Sequence, residues 1–194
     1  EPHPMQERSE YAEIAPWPNP MKDMDERQKI ELAFDLEKAM KAVDNRVIRT
    51  AASTVAASQT RLRLHNTRGL AAEQRSSVSY CFAAPVVSEN GEMQNAYGFR
   101  SGSKSTDITG CADEVVKDAL SKLNASPVPT GRYRVLFRYD AMADLLQAFS
   151  PMFFADRAQK GFSPLKDLES QTIASGLINI ADDPFYGEFQ RAFD

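Results

Sequence analysis

Histidine is nearly absent from this chain, which has only His3 and His65. A catalytic zinc site is usually built from two imidazoles on one helical face, a third ligand and a glutamate base. His3 lies in a proline-rich lead and His65 ends a strand-like run, so the two share no helix. His65 reads as a half-exposed strand terminus. Cysteine is equally scarce: Cys81 and Cys111 stand alone, with no C-x-x-C spacing. They read as free thiols of a reducing compartment, a single disulfide being the alternative. No apolar run approaches the roughly 20 residues that span a bilayer, and Glu1-Pro2-His3-Pro4 does not open a signal peptide. There is no glycine-rich phosphate loop and no internal repeat. The net charge of −4 is the wrong sign for a nucleic-acid footprint.

What is present is an ordinary globular composition, 42% hydrophobic and 26% charged, long enough to bury a core. Five prolines, at 2, 4, 16, 18 and 20, make residues 1–22 extended. That segment reads as a linker from something upstream, with Trp17 as an apolar anchor. Asp23 and Glu26 predict a capped helix from about 24 to 43. Its stripe is Ile30, Ala33, Phe34, Leu36, Met40 and Val43, and Asp44-Asn45 ends it. Period-two alternation then predicts strands near 46–56, 59–66, 69–84 and 93–101. Asn66-Thr67-Arg68-Gly69 and Asn90-Gly91 supply the turns. A second helix is predicted over 110–124, with the stripe Ala112, Val115, Val116, Ala119, Leu120 and Leu123.

Asn124 to Gly131 is the best internal boundary. Beyond it, Tyr133, Val135 and Phe137 predict a strand, Asp140 a helix cap, and Pro151 the kink or end of that helix. Ile173, Leu177, Ile178 and Ile180 predict one or two further strands. The expected fold class is α+β: an antiparallel β-meander packed with two helices, then the start of a second mixed α/β or β-rich domain. The expected domains are a linker at 1–22, a middle domain at 23–126 and a truncated C-terminal domain at 127–194.

Isolated chemistry is weak. Asp182-Asp183-Pro184 reads as a solvated turn, and Ser163 and Ser170 lack a histidine partner for a triad. A Cys81–His65 pair is disfavoured. Arg61, Arg63, Arg68 and Arg75 form a basic cluster, a solvated face that could receive acidic peptide groups.

The order of motifs is more telling. The chain from 130 reads TGRYRVLFRYDAMADLLQAF, then QKGFSPLKDLESQTIASGLINIADDP, and HNTRGL precedes it. Together these resemble the PmbA/TldD family, the modulators of DNA gyrase, in which a zinc peptidase subunit pairs with a sister lacking the metal motif. The peptidase members carry HExxxH followed by G-[DE]-x-x-x-x-G-x-S. The matching tail here runs from Ala155 and Asp156 to Gly161 and Ser163, which places Leu146, Gln147 and Pro151 at the two histidines and the glutamate between them. The resemblance therefore implies the PmbA/TldE-like half, with no catalytic and no metal-binding residue of its own. It implies a cytoplasmic peptide-processing complex, either a homodimer or a heterodimer with a TldD-like HExxxH subunit that holds the zinc. Peptides are the implied substrates, with no nucleic acid and no membrane. The alternatives are an active zinc metallopeptidase with ligands outside these residues, and a gyrase-associated regulator.

Overall fold

The computed structural model describes residues 11–192. His3 and the prolines at 2 and 4 lie outside that range. The described residues form two compact units, one of 11–126 with 183–192 and one of 127–182.

In the first unit, helix α1 spans Glu26–Val43. Its cap is Asp25, not Asp23: the Asp25 carboxylate accepts from the Gln28 N–H at 2.8 Å, and the Gln28 amide oxygen accepts from the Asp25 N–H at 2.9 Å. Asp23 is excluded because a turn occupies the preceding residues, with Lys22 N–H donating to Asn19 O and Met24 N–H to Met21 O. Reciprocal capping satisfies two otherwise orphaned donors. Asp25→Ala is accordingly expected to cost about 1 kcal/mol in denaturant unfolding, with Asp23→Ala nearly neutral. An equal loss at both positions would reject this cap assignment.

The sheet is antiparallel. Strands β1 (Val47–His65) and β2 (Ala71–Glu89) form one long hairpin, and β3 (Glu92–Asn95) and β4 (Gly98–Ser101) both pair with the other side of β2. The expected break near 57–58 does not exist. Ala57 and Ser58 pair in register with Ser79 and Val78, and nothing at those positions forces a turn. The irregularities of β1 instead fall nearer its start, as register shifts between Val47 and Arg49 and between Thr50 and Ala52. Conversely, the expected strand 93–101 is interrupted. Val86 pairs with Asn95 and Ala83 with Gly98, so the register is the same on both sides of the gap. The gap faces Pro85, which has no N–H to contribute to the ladder. Asn90 and Gly91 adopt φ of 51° and 84°, the left-handed pair that a tight hairpin turn requires.

Helix α2 (Ile108–Ser121) is capped by Asp107, which accepts from the Gly110 N–H at 3.0 Å. Both helices cover one face of the sheet. The shared core holds Leu36 and Met40 of α1, Cys81, Ala83 and Val87 of β2, and Cys111, Ala112, Val115, Val116 and Ala119 of α2. The α2 stripe is buried at Ala112, Val115, Val116 and Ala119 and partly at Leu120, while Leu123 is buried just past the helix end. The α1 stripe is only partly so, because Ile30 and Phe34 are exposed. Phe34 and Leu36 lie about 200° apart around a helix, so one face cannot bury both.

The lead and tail segments meet on this unit. Trp17 donates its indole N–H to Gln190 O at 2.6 Å and packs edge-on against Phe189 at 5.1 Å, with the Arg191 guanidinium 5.7 Å from its ring centre. The Ser77 hydroxyl donates to Trp17 O at 2.9 Å. Trp17 is thus an anchor, joined by the fully buried Met21.

The second unit contains α3 (Tyr139–Phe149), a 3-10 turn (Ser150–Phe153) and α4 (Ala155–Gln159). The strands expected around 133–137 and 173–180 do not form. A strand must have its N–H and C=O groups paired, and no neighbouring strand is present among the described residues of this unit. Asp140 is not the cap of α3 either. The cap position is Arg138, and Asp140 sits in the first turn, where its charge complements the helix dipole.

Candidate functional site

Three places bring chemically active side chains together. The first is α3 with the turn after it. Leu146 and Gln147 occupy the last turns of the helix, which ends at Phe149, and Pro151 lies within the 3-10 turn. Pro151 ends the α-helical ladder because it has no N–H to extend it. All three side chains are exposed, as are Leu145, Phe149 and Phe153 of the apolar stripe. Leu and Pro carry no donor atom for a metal, and Gln147 has an amide where a general base needs a titrating oxygen. The G-x-S residues are structural: the Ser163 hydroxyl donates to Met152 O at 2.6 Å and accepts from the Leu165 N–H at 3.1 Å. Asp183 accepts from the Phe185 N–H at 2.9 Å in an exposed turn, so the Asp182-Asp183 pair is a solvated turn as expected. Among the described residues no group of three or more His, Cys, Asp or Glu side chains is placed to hold a metal ion.

The second place is the outer half of the β1–β2 hairpin. Arg61 pairs with Arg75 and Arg63 with Glu73, so all four side chains share one face of the pleat. Glu73 receives Arg61 at 2.6 Å, Arg63 at 2.8 Å and Arg75 at 3.1 Å. These hydrogen bonds, that from Arg61 foremost, hold its carboxyl down to about 2 from the ordinary 4.5. A depressed carboxyl favours the folded hairpin above its unfolded value. That contribution is expected to be complete above pH 4.5 and to fade as pH falls toward about 2. A side-chain carboxyl NMR titration measures it. Arg61→Ala should move the Glu73 midpoint upward, and an unmoved midpoint would show that the ion cluster is not formed.

The third is a thiol pair that the sequence hides. Cys81 on β2 and Cys111 on α2 are both free and buried in the same core cluster. Their mutual influence lowers the Cys81 value and raises the Cys111 value, with burial pushing Cys111 further up. The spacing of 30 residues gives no hint of it; only docking of α2 on β2 does. His65 takes no part. It pairs with Ala71, ten residues along β2 from Cys81, or about 33 Å at the rise of a strand.

Comparison with known proteins accords with this architecture. A family model for the PmbA/TldA metallopeptidase central domain matches residues 19–123, and one for the PmbA/TldA metallopeptidase C-terminal domain matches residues 130–194. A search of curated proteins found no match. Among solved structures, TldE from Thermococcus kodakarensis superposes with a TM-score of 0.79 at 21% identity, over 98% of this chain and 44% of that one. A candidate modulator of DNA gyrase from Bacteroides thetaiotaomicron VPI-5482 gives 0.80 at 20% identity, over 92% and 42%. A candidate modulator of a DNA gyrase from Thermotoga maritima MSB8 gives 0.76 at 23% identity, over 84% and 38%. At such identities the likeness concerns the fold. The chain spans about two fifths of the length of these structures.

Proposed function

Because the chain belongs to the PmbA/TldA metallopeptidase family, through that family's central and C-terminal domains, we propose that it is the catalytically silent, TldE-like partner in a peptide-processing complex. The observation that carries this reading is the α3 segment. Where the family's peptidase members place their zinc motif, this chain has Leu146, Gln147 and Pro151, and no histidine occurs between 66 and 194. These residues do not fit a zinc ion. Any zinc chemistry then belongs to an HExxxH-bearing subunit. We place the domain boundary between Ser126 and Pro127, with 127–194 belonging to the family's C-terminal domain.

What this chain itself offers is a surface for extended peptides. β1 is an edge strand among the described residues, with β2 on one side only, and an open edge can add a peptide as a further strand. Among the described residues no helix is long and apolar enough to cross a membrane. That fits the cytoplasmic setting we propose. Metal analysis after dialysis tests the assignment. The protein in its complete form is expected to retain no stoichiometric zinc alone and to copurify with zinc only in company with an HExxxH subunit. Stoichiometric zinc ligated by this chain's own residues would sink it.

A further inference from the structure

Arg61 and Arg75 sit directly opposite one another on the hairpin. Like charges in that position destabilise a sheet. Glu73 is their shared counter-ion, and it serves Arg63 as well, so three guanidinium groups meet one carboxylate. Two positive charges are left over on one exposed face.

Beside this face runs a groove of about 690 Å³. The lead segment walls it with Trp17, Asn19 and Lys22, and the hairpin with Arg61, Arg75 and Ser76. Lys22 adds a third positive charge and makes no ion pair among the described residues. Surplus cations along one groove are the complement of a carboxylate-bearing ligand.

We propose that this arginine face and its groove bind the carboxylates of an extended acidic peptide. The choice of a peptide rests on the peptide-handling reading above; the charge argument does not. Arg61 and Arg63 are two residues apart on one strand, the spacing at which side chains of an extended peptide recur on one side. Alternate glutamates therefore fit better than a contiguous block. Nucleic acid is disfavoured, since the chain as a whole carries a net −4 and the basic patch is small.

The test is fluorescence anisotropy at low salt, with the full chain and three labelled probes. These are a decapeptide with glutamate at alternate positions, its glutamine counterpart and a single-stranded DNA oligonucleotide. The glutamate peptide should bind, the glutamine peptide should not, and the oligonucleotide should bind more weakly. Arg61→Gln and Arg75→Gln should each weaken binding about fivefold, as suits exposed ion pairs, while Glu73→Gln should tighten it. Arg132→Gln and Arg134→Gln, in the second unit, should have no effect. Equal binding of both peptides, preference for the oligonucleotide, or equal losses at Arg132 and Arg134 would each overturn the proposal. A thermal melt of each variant separates misfolding from lost contacts, and the gain at Glu73→Gln cannot arise from misfolding. No cleavage is read, so the outcome stands apart from that of the silent-subunit assignment.

Discussion

Val116→Asp is expected to abolish cooperative unfolding of the helix-on-sheet unit. Val116 has no exposed surface and packs in the core shared by α1, α2 and β2. A carboxylate placed in that apolar cluster must accommodate either its charge or its proton, at a cost of several kcal/mol. Single domains are stable by only about 5–15 kcal/mol, so the loss is comparable with the whole. Val116→Ala, which only leaves space, should cost about 1–3 kcal/mol. Lys117→Gln on the exposed face of the same helix should change little, since its ion pair with Asp113 is 67% and 50% exposed. Circular dichroism during heating distinguishes the three. A sharp transition for Val116→Asp within 1 kcal/mol of the parent would mean that α2 does not seat on the sheet as described.

How far this architecture was legible follows from the kind of signal each element leaves. The α2 stripe was readable because a helix with one buried face repeats every 3.6 residues, and the core residues from Ala112 to Ala119 follow that spacing. The Asn90-Gly91 turn was readable because few residue pairs tolerate two positive φ values. The length of β1 was not. Its Ala-Ser-Thr run lacks strong apolar alternation, and its continuity comes from the register it shares with β2. The expected strand 69–84 stops short of Pro85, whereas β2 runs through it to Glu89, and the interruption of the opposite strand leaves no local signal. Strands were over-read in 131–180 for the opposite reason: alternation in Tyr133, Val135 and Phe137 describes a strand only where another strand lies beside it.

The candidate sites divide in the same way. The arginine cluster was visible as Arg61, Arg63, Arg68 and Arg75, but Glu73, the residue that organises three of them, was not singled out. The Cys81–Cys111 contact left no trace in spacing at all. The lead segment gave up Trp17 but not Met21, which is buried completely although it directly follows the proline-rich run. In each case the missing information is a long-range contact, and local pattern does not encode those.

Peptide cleavage by the protein in its complete form is expected to be undetectable alone and to rise at least about a thousandfold when an HExxxH-bearing family subunit is added. A zinc peptidase polarises the scissile carbonyl and generates hydroxide from bound water, while a carboxylate moves the proton. Leu146, Gln147 and Pro151 supply none of these functions. Losing members of such a unit together costs far more than a thousandfold, because they act as one. Gln147→Glu alone should therefore restore nothing: it returns a base without a metal-bound water for it to act on. A variant that disturbs the exposed apolar row, such as Phe149→Asp, separates two roles for α3. If the row meets the partner, Phe149→Asp should weaken the complex and lower cleavage while the separate chain melts as before. If the row is covered by the chain's own residues, the melt should shift first. Chelator-sensitive cleavage by the isolated protein would reject the silent assignment. A protein that stays monomeric beside every HExxxH subunit offered would reject the partnership, since the activity assigned to the pair would then have no place to form.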